Sequence, residues 1–206
     1  MQSLEEFLDE SRAMCSVYLL QAPGRGASVV MHAYDHLMGA VSKFLSERDL
    51  RIFAEALEYI AFQLQKSLRE DKNSSPALIH SIRTLDHLVT FAEEKQLLVL
   101  LGALFYSSQS SVDLSFSEIC SRFGEEYVQF LITLRGVHFG MVNALSEEQK
   151  RVELATCIDL LAELVYLGRK DPDGTWKEII LSRIELLGLV EPHLDKECSN
   201  LVARLK

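Results

Sequence analysis

Leu97-Leu-Val-Leu-Leu-Gly-Ala-Leu-Phe-Tyr106 is the most apolar run of the chain, and its reading decides the fold. It is half as long as the ~20 residues a helix needs to span a bilayer, so it reads as a helix buried within a protein. On both sides of it, apolar residues recur at three- and four-residue steps, the signature of amphipathic helices. Upstream, Ile52, Phe53, Ala56, Leu57, Ile60 and Leu64 mark one side of a helix expected from about Arg48 to Asp71. The polar stretch Lys72-Asn-Ser-Ser75 ends it. Pro76 suits the first turn of the next helix, expected to run to about Lys95.

Downstream, Ser107 to Ser111 (SSQSS) reads as a loop, and Ser115-Phe-Ser-Glu118 has the form of a capping box opening a short helix through Phe123. Further helices are expected over Glu125–Leu134, Ser146–Leu167, Thr175–Val190 and Pro192–Leu205, with turns at Gly124 and Asp171-Pro-Asp-Gly174. The first 50 residues read as two amphipathic helices. One carries Leu4, Phe7, Leu8, Met14 and Leu19, the other runs from about Ser28 to Ser46, and Ala22-Pro-Gly-Arg-Gly26 separates them. About ten helices and no strand predict an all-α bundle.

Composition narrows the function. With 48% hydrophobic residues in 206, the chain can bury a sizeable core. Ten Gly and four Pro leave little turn chemistry for a many-stranded sheet. The net charge of −9, with no long basic run, repels phosphate backbones and argues against nucleic-acid binding. Cys15, Cys120, Cys157 and Cys198 form no C-x-x-C pair, so neither a zinc knuckle nor a disulfide framework is expected; reduced core thiols are. The acidic start MQSLEEFLDES lacks the basic and apolar regions of a signal peptide, and a cytoplasmic, membrane-free protein is expected.

Several features follow one another in order from residue 52. The helix from Glu55-Ala-Leu-Glu-Tyr59 to Asp71 is followed by Pro76-Ala-Leu-Ile-His80, then Ala103-Leu-Phe-Tyr-Ser107, then Leu114 to Gly124 (LSFSEICSRFG). Together these resemble the HD hydrolase domain of the RelA/SpoT family, which removes the 3′-pyrophosphate of (p)ppGpp. The resemblance implies an HD-type helical domain over residues 51–206, preceded by an N-terminal helical extension over residues 1–50.

What the resemblance implies for the site is mostly loss. In the family, a histidine, an adjacent His-Asp pair and a distant aspartate hold a divalent ion, usually Mn²⁺, that activates water. His80 matches the first ligand. Tyr106 and Ser107 stand at the His-Asp pair, and neither is a useful ligand for such an ion at neutral pH. Ser110 and Ser111 stand at the following catalytic Glu-Asp. The last aspartate corresponds to Asp159 in one register and to Glu163 in another, with Asp159 preferred. Leu64, Leu68 and Glu70 replace the family's basic residues, and Arg69 alone is retained to meet substrate phosphate.

Other clusters have bland readings. His32 and His36, four apart with Asp35 between, could form a metal pair but read better as a solvated helix face. His80 and His87 lie on one face of their helix. Trp176 reads as a packing residue at a helix start, and Glu5, Glu6, Asp9 and Glu10 as an exposed face. No histidine base is placed beside Cys120 to make it a nucleophile. Gly24-Arg-Gly26 lacks the Lys-Ser/Thr of a phosphate loop.

The leading expectation is an inactive relative of (p)ppGpp hydrolases that acts by binding a protein partner, another copy of itself or a guanine nucleotide, with no cofactor. The alternative is a working hydrolase with a rebuilt Mn²⁺ site built from His80, Asp159 or Glu163, and His87. An unrelated helical adaptor is the third possibility. The binding reading also expects Phe105 and Tyr106 to fill the old cleft.

Overall fold

In the computed structural model of the chain, residues 2–21, 27–66, 77–109, 112–139, 141–166, 171 and 173–205 are described. They form ten α-helices and no strand: α1 (Leu4–Gln21), α2 (Ala27–Val41), α3 (Glu47–Lys66), α4 (Ala77–Phe91), α5 (Leu97–Ser108), α6 (Phe116–Phe123), α7 (Glu125–Arg135), α8 (Glu147–Tyr166), α9 (Thr175–Leu187) and α10 (Pro192–Arg204). Two 3₁₀ turns, Gly136–Phe139 and Val142–Ala144, join α7 to α8. The all-α expectation holds. No helix among the described residues is long and apolar enough to cross a membrane.

The apolar run that opened the reading is the centre of the bundle. Every residue of α5 from Val99 to Ser108 is buried, and α3, α4, α7 and α8 pack around it. The close approach of α7 requires Gly102, because a Cβ there would run into the ring of Phe130. α3 turns Phe53, Ala56, Leu57, Ile60 and Leu64 inward, the i, i+3, i+4, i+7 stripe of its sequence. α1 lies along α3 and α2 along α4. Cys15, Leu37 and Val41 thereby join the same hydrophobic core as α5.

α8 is the second organising element. It packs against α4, α5, α9 and α10. Its Glu153, Asp159 and Glu163 are buried along with Leu154 and Leu161. α10 begins with Pro192 at its first turn, and the Glu191 carboxylate accepts from the His193 and Leu194 N–H groups. Those bonds satisfy donors that a helix start leaves open.

Several local expectations are corrected. α5 does not stop at Tyr106 and enter a loop at Ser107: Ser107 and Ser108 continue the helix. Their hydroxyls donate to the carbonyls of Ala103 (2.6 Å) and Leu104 (2.7 Å), so each is satisfied within the helix. α4 ends at Phe91 and not near Lys95, since Glu93 takes a left-handed φ of 49°. The buried Glu94 carboxylate then accepts from the N–H groups of Lys95 and Gln96 and from Arg151 at 2.7 Å, which pins the α4–α5 corner to α8.

The capping box is half made. Ser115 Oγ accepts from the Glu118 N–H at 3.4 Å. The Glu118 carboxylate instead accepts from Tyr59 at 2.8 Å and Gln63 at 3.2 Å. The core-thiol expectation holds for Cys15, Cys157 and Cys198, but Cys120 is exposed on α6. Trp176 is 47% exposed and no core residue. Asp171 holds the start of α9, its carboxylate accepting from the Trp176 and Lys177 N–H groups. The expected loop at Ala22–Gly26, the end of the third helix to Asp71, and Pro76 lie outside the described residues.

Gly102→Val is expected to destabilise the protein by about 1–3 kcal/mol through overpacking against Phe130. Urea unfolding followed by circular dichroism reads this out, and a substitution at the exposed Gly39, where an added Cβ meets nothing within 4 Å, serves as the control.

Candidate functional site

Helical spacing assembles the site from two elements. On α4, His80, Arg83 and His87 are spaced i, i+3, i+7 and share one face. On α8, Asp159 and Glu163 are spaced i, i+4 and point back at them. Asp159 is fully buried and Glu163 nearly so, whereas the side chains of His80 and Arg83 keep 12% and 29% exposure at the edge.

Arg83 is the hub. Its Nε donates to Asp159 Oδ1 at 2.5 Å and its Nη2 to Asp159 Oδ2 at 3.0 Å, a bidentate fork. The same Nη2 donates to Glu163 Oε1 at 2.7 Å. His80 Nδ1 lies 2.5 Å from Asp159 Oδ2. An ionised carboxylate only accepts, so that ring nitrogen carries its proton. Burial works to raise the Asp159 carboxyl, but the bonds from His80 and Arg83 outweigh it and hold the group below the usual carboxylate range. Burial likewise opposes the Arg83 charge, and Asp159 and Glu163 overcome it, so its pKa stays above the ordinary arginine value.

His87 completes the rim differently. It stacks on Phe91 with centroids 5.7 Å apart, its Nε2 is 3.9 Å from Asp159 Oδ1, and neither ring nitrogen has a hydrogen-bond partner among the described residues. Burial pushes its pKa below that of a free histidine and more than offsets the pull of Asp159 and Asp86.

A second cluster lies further up α8. Tyr106 donates to Glu153 Oε2 at 2.7 Å, and Arg183 of α9 donates from Nε to Glu153 Oε1 at 2.5 Å and from Nη2 to the Tyr106 hydroxyl at 3.1 Å. Burial, with Glu153 beside it, raises the Tyr106 phenol far above its usual value. The hydroxyl therefore stays protonated as a donor. Ser107 donates to its own helix, and Ser81 and Ser108 share a bond of 2.8 Å across α4 and α5.

The sequence-derived residues thus separate into groups. His80, Asp159 and Glu163 come together, with ligand atoms all within 4.8 Å of one another. The Tyr106 hydroxyl is bound into the Glu153–Arg183 cluster. Phe105 does not fill a cleft with Tyr106, because its ring packs toward α6 and α7, 5.2 Å from Phe123 and 6.5 Å from Tyr127. His32 and His36 are exposed, as their helix-face reading expected; His36 is 3.4 Å from Asp86, and Asp35 pairs with Arg12. Arg69, Ser110, Ser111, Leu68 and Glu70 lie outside the described residues.

Sequence reasoning missed Arg83, Glu153 and Arg183. Arg83 is three residues from His80, so helical spacing put it on the right face. The resemblance offered Asp159 and Glu163 as alternatives, and did not show that α8 would present both to that face at once.

The donor set does not fit the divalent ion that the resemblance implies. Arg83 occupies both oxygens of Asp159 and one of Glu163, and His80 Nδ1 offers a proton to the acid and not a lone pair to an ion. Tyr106 and Ser107 supply no carboxylate or imidazole. Comparison of the chain with protein-family models, with curated proteins and with solved structures finds no match.

His87 makes stability depend on pH. Its folded pKa is depressed, so the unfolded chain binds the proton more readily, and this contribution is present above the ordinary histidine value of about 6.5 and lost as pH falls below it. Asp159 acts in the same direction at lower pH, below about 4. Melting temperature measured from pH 8 to pH 5 is expected to decline, and His87→Phe to flatten that decline. An unchanged slope in the variant would contradict the assignment.

Proposed function

We propose that this chain is a catalytically inactive HD-domain relative of the (p)ppGpp hydrolases that acts in the cytoplasm by binding a protein partner. The observation that carries the reading is the Arg83 guanidinium, held between Asp159 and Glu163 where a hydrolase of the family would need its metal. Water attack on a pyrophosphate needs a Lewis acid and ligands free to hold it. Here those ligands serve an arginine.

Charge favours a protein over a nucleotide as the bound species. Two carboxylates face one permanent cation in the cluster, so it has no surplus positive charge to receive a pyrophosphate. The chain as a whole carries −9. A partner surface is available along one edge of α9, where Trp176, Ile179 and Leu186 are about half exposed and Leu189, just beyond, is 92% exposed. Glu178 and Glu185 lie exposed beside that edge. An apolar helix with a basic flank complements it, whereas a second copy of this chain would bring like charges together.

One observation favours the alternative of a working hydrolase with a rebuilt Mn²⁺ site. His80, Asp159 and Glu163 lie as close together as metal ligands do. The purified chain incubated with ppGpp and Mn²⁺ decides between the two. The expected result is no pyrophosphate release and no stoichiometric metal. Metal-dependent release, lost in Asp159→Asn, would overturn the binding reading.

A further inference from the structure

We infer that Arg83 is the resident cation of this site: it clamps α4 to α8 in place of a divalent ion, and it keeps such an ion out. Two observations point to this. The guanidinium fork takes both oxygens of Asp159, at 2.5 and 3.0 Å, and one oxygen of Glu163, at 2.7 Å. A hard or borderline cation draws on those same carboxylates and would lie against the positive guanidinium, so guanidinium and metal compete for one place. The donors behind the fork, His80, Asp159 and Glu163, are already gathered within 4.8 Å on two helices, so once the fork is gone an ion needs only the His80 proton and ring to yield their place on Asp159.

The clamp also has a structural task. α4 and α8 pack side by side, and Asp159 is fully buried between them. A carboxylate at that depth without a counter-charge is strongly unfavourable. Arg83 supplies that charge from the neighbouring helix and gives the pair a fixed register. Its removal should therefore weaken the fold and expose a cation site in one step. The inference goes beyond the binding reading and holds whatever the protein binds elsewhere.

The test titrates Mn²⁺ into the full chain and into Arg83→Gln, reading free Mn²⁺ by its electron paramagnetic resonance signal and folding by thermal melting. The wild type is expected to leave the free-ion signal unchanged and its melting temperature unmoved by the metal. Arg83→Gln is expected to melt about 5 °C or more below it without metal. The variant should then take up one Mn²⁺ per chain at least about tenfold more tightly than the wild type, and regain part of the lost melting temperature. Adding Asp159→Asn to it should abolish the uptake.

Stoichiometric Mn²⁺ uptake by the wild type overturns the inference, and that arm needs no variant to fold. A folded Arg83→Gln that takes up no Mn²⁺ overturns it as well. Uptake by the wild type sinks this inference whether or not turnover accompanies it, whereas absence of a protein partner fails the binding reading and leaves this inference standing.

Discussion

The buried pairing of Arg83 with Asp159 is the constraint to which the rest of the site answers. Asp159 sits with no exposure in the middle of α8, where an unpaired charge is strongly disfavoured. The charge is kept because a planar fork meets both of its oxygens and His80 adds a third hydrogen bond. With these satisfied, α8 can bury its acid face against α4 and continue as a core helix. The fork that pairs the two helices also occupies oxygens that a divalent cation would use.

α8 repeats this solution along its length. Glu153 is completely buried and is met by Arg183 of α9 and Tyr106 of α5. Arg151, near its start, reaches the buried Glu94 at the α4–α5 corner. Each acid or base of α8 is answered from another part of the chain, so the pairs tie α4, the α4–α5 corner, α5 and α9 to one axis in a defined register. Breaking a buried pair of this kind costs about 3–5 kcal/mol, because the remaining charge is stranded. The pairs need not add net stability over a fully apolar packing, but they disfavour a slipped alternative.

The fold was largely legible in the sequence, and the reasons are local. The apolar run at Leu97 announced a buried helix, the α3 stripe announced its inward face, and Gly124 marks a helix end in a positive-φ conformation; the helix expected to reach Val190 instead stops at Leu187, where Gly188 takes φ 67°. What could not be read were long-range choices by polar groups. Ser107 extends α5 because its hydroxyl finds a carbonyl one turn back, and Glu118 leaves its box for Tyr59 on α3. Trp176 was expected to pack at the start of α9, but the start is held by the Asp171 carboxylate and the indole faces outward.

The site was half legible. His80 and Asp159, paired only through the resemblance and 79 positions apart, lie in contact. The register that preferred Asp159 and the one that preferred Glu163 meet in the structure, since one guanidinium binds both. Arg83 itself reads as an ordinary helix-surface arginine until the facing acids of α8 are known. The most direct measurement is a crystal structure of the full chain grown in Mn²⁺, with anomalous differences collected at the manganese edge. The expected map has the Arg83 fork on Asp159 and Glu163 and no anomalous peak among His80, Asp159 and Glu163. A peak there, with Arg83 swung away, would contradict the central claim.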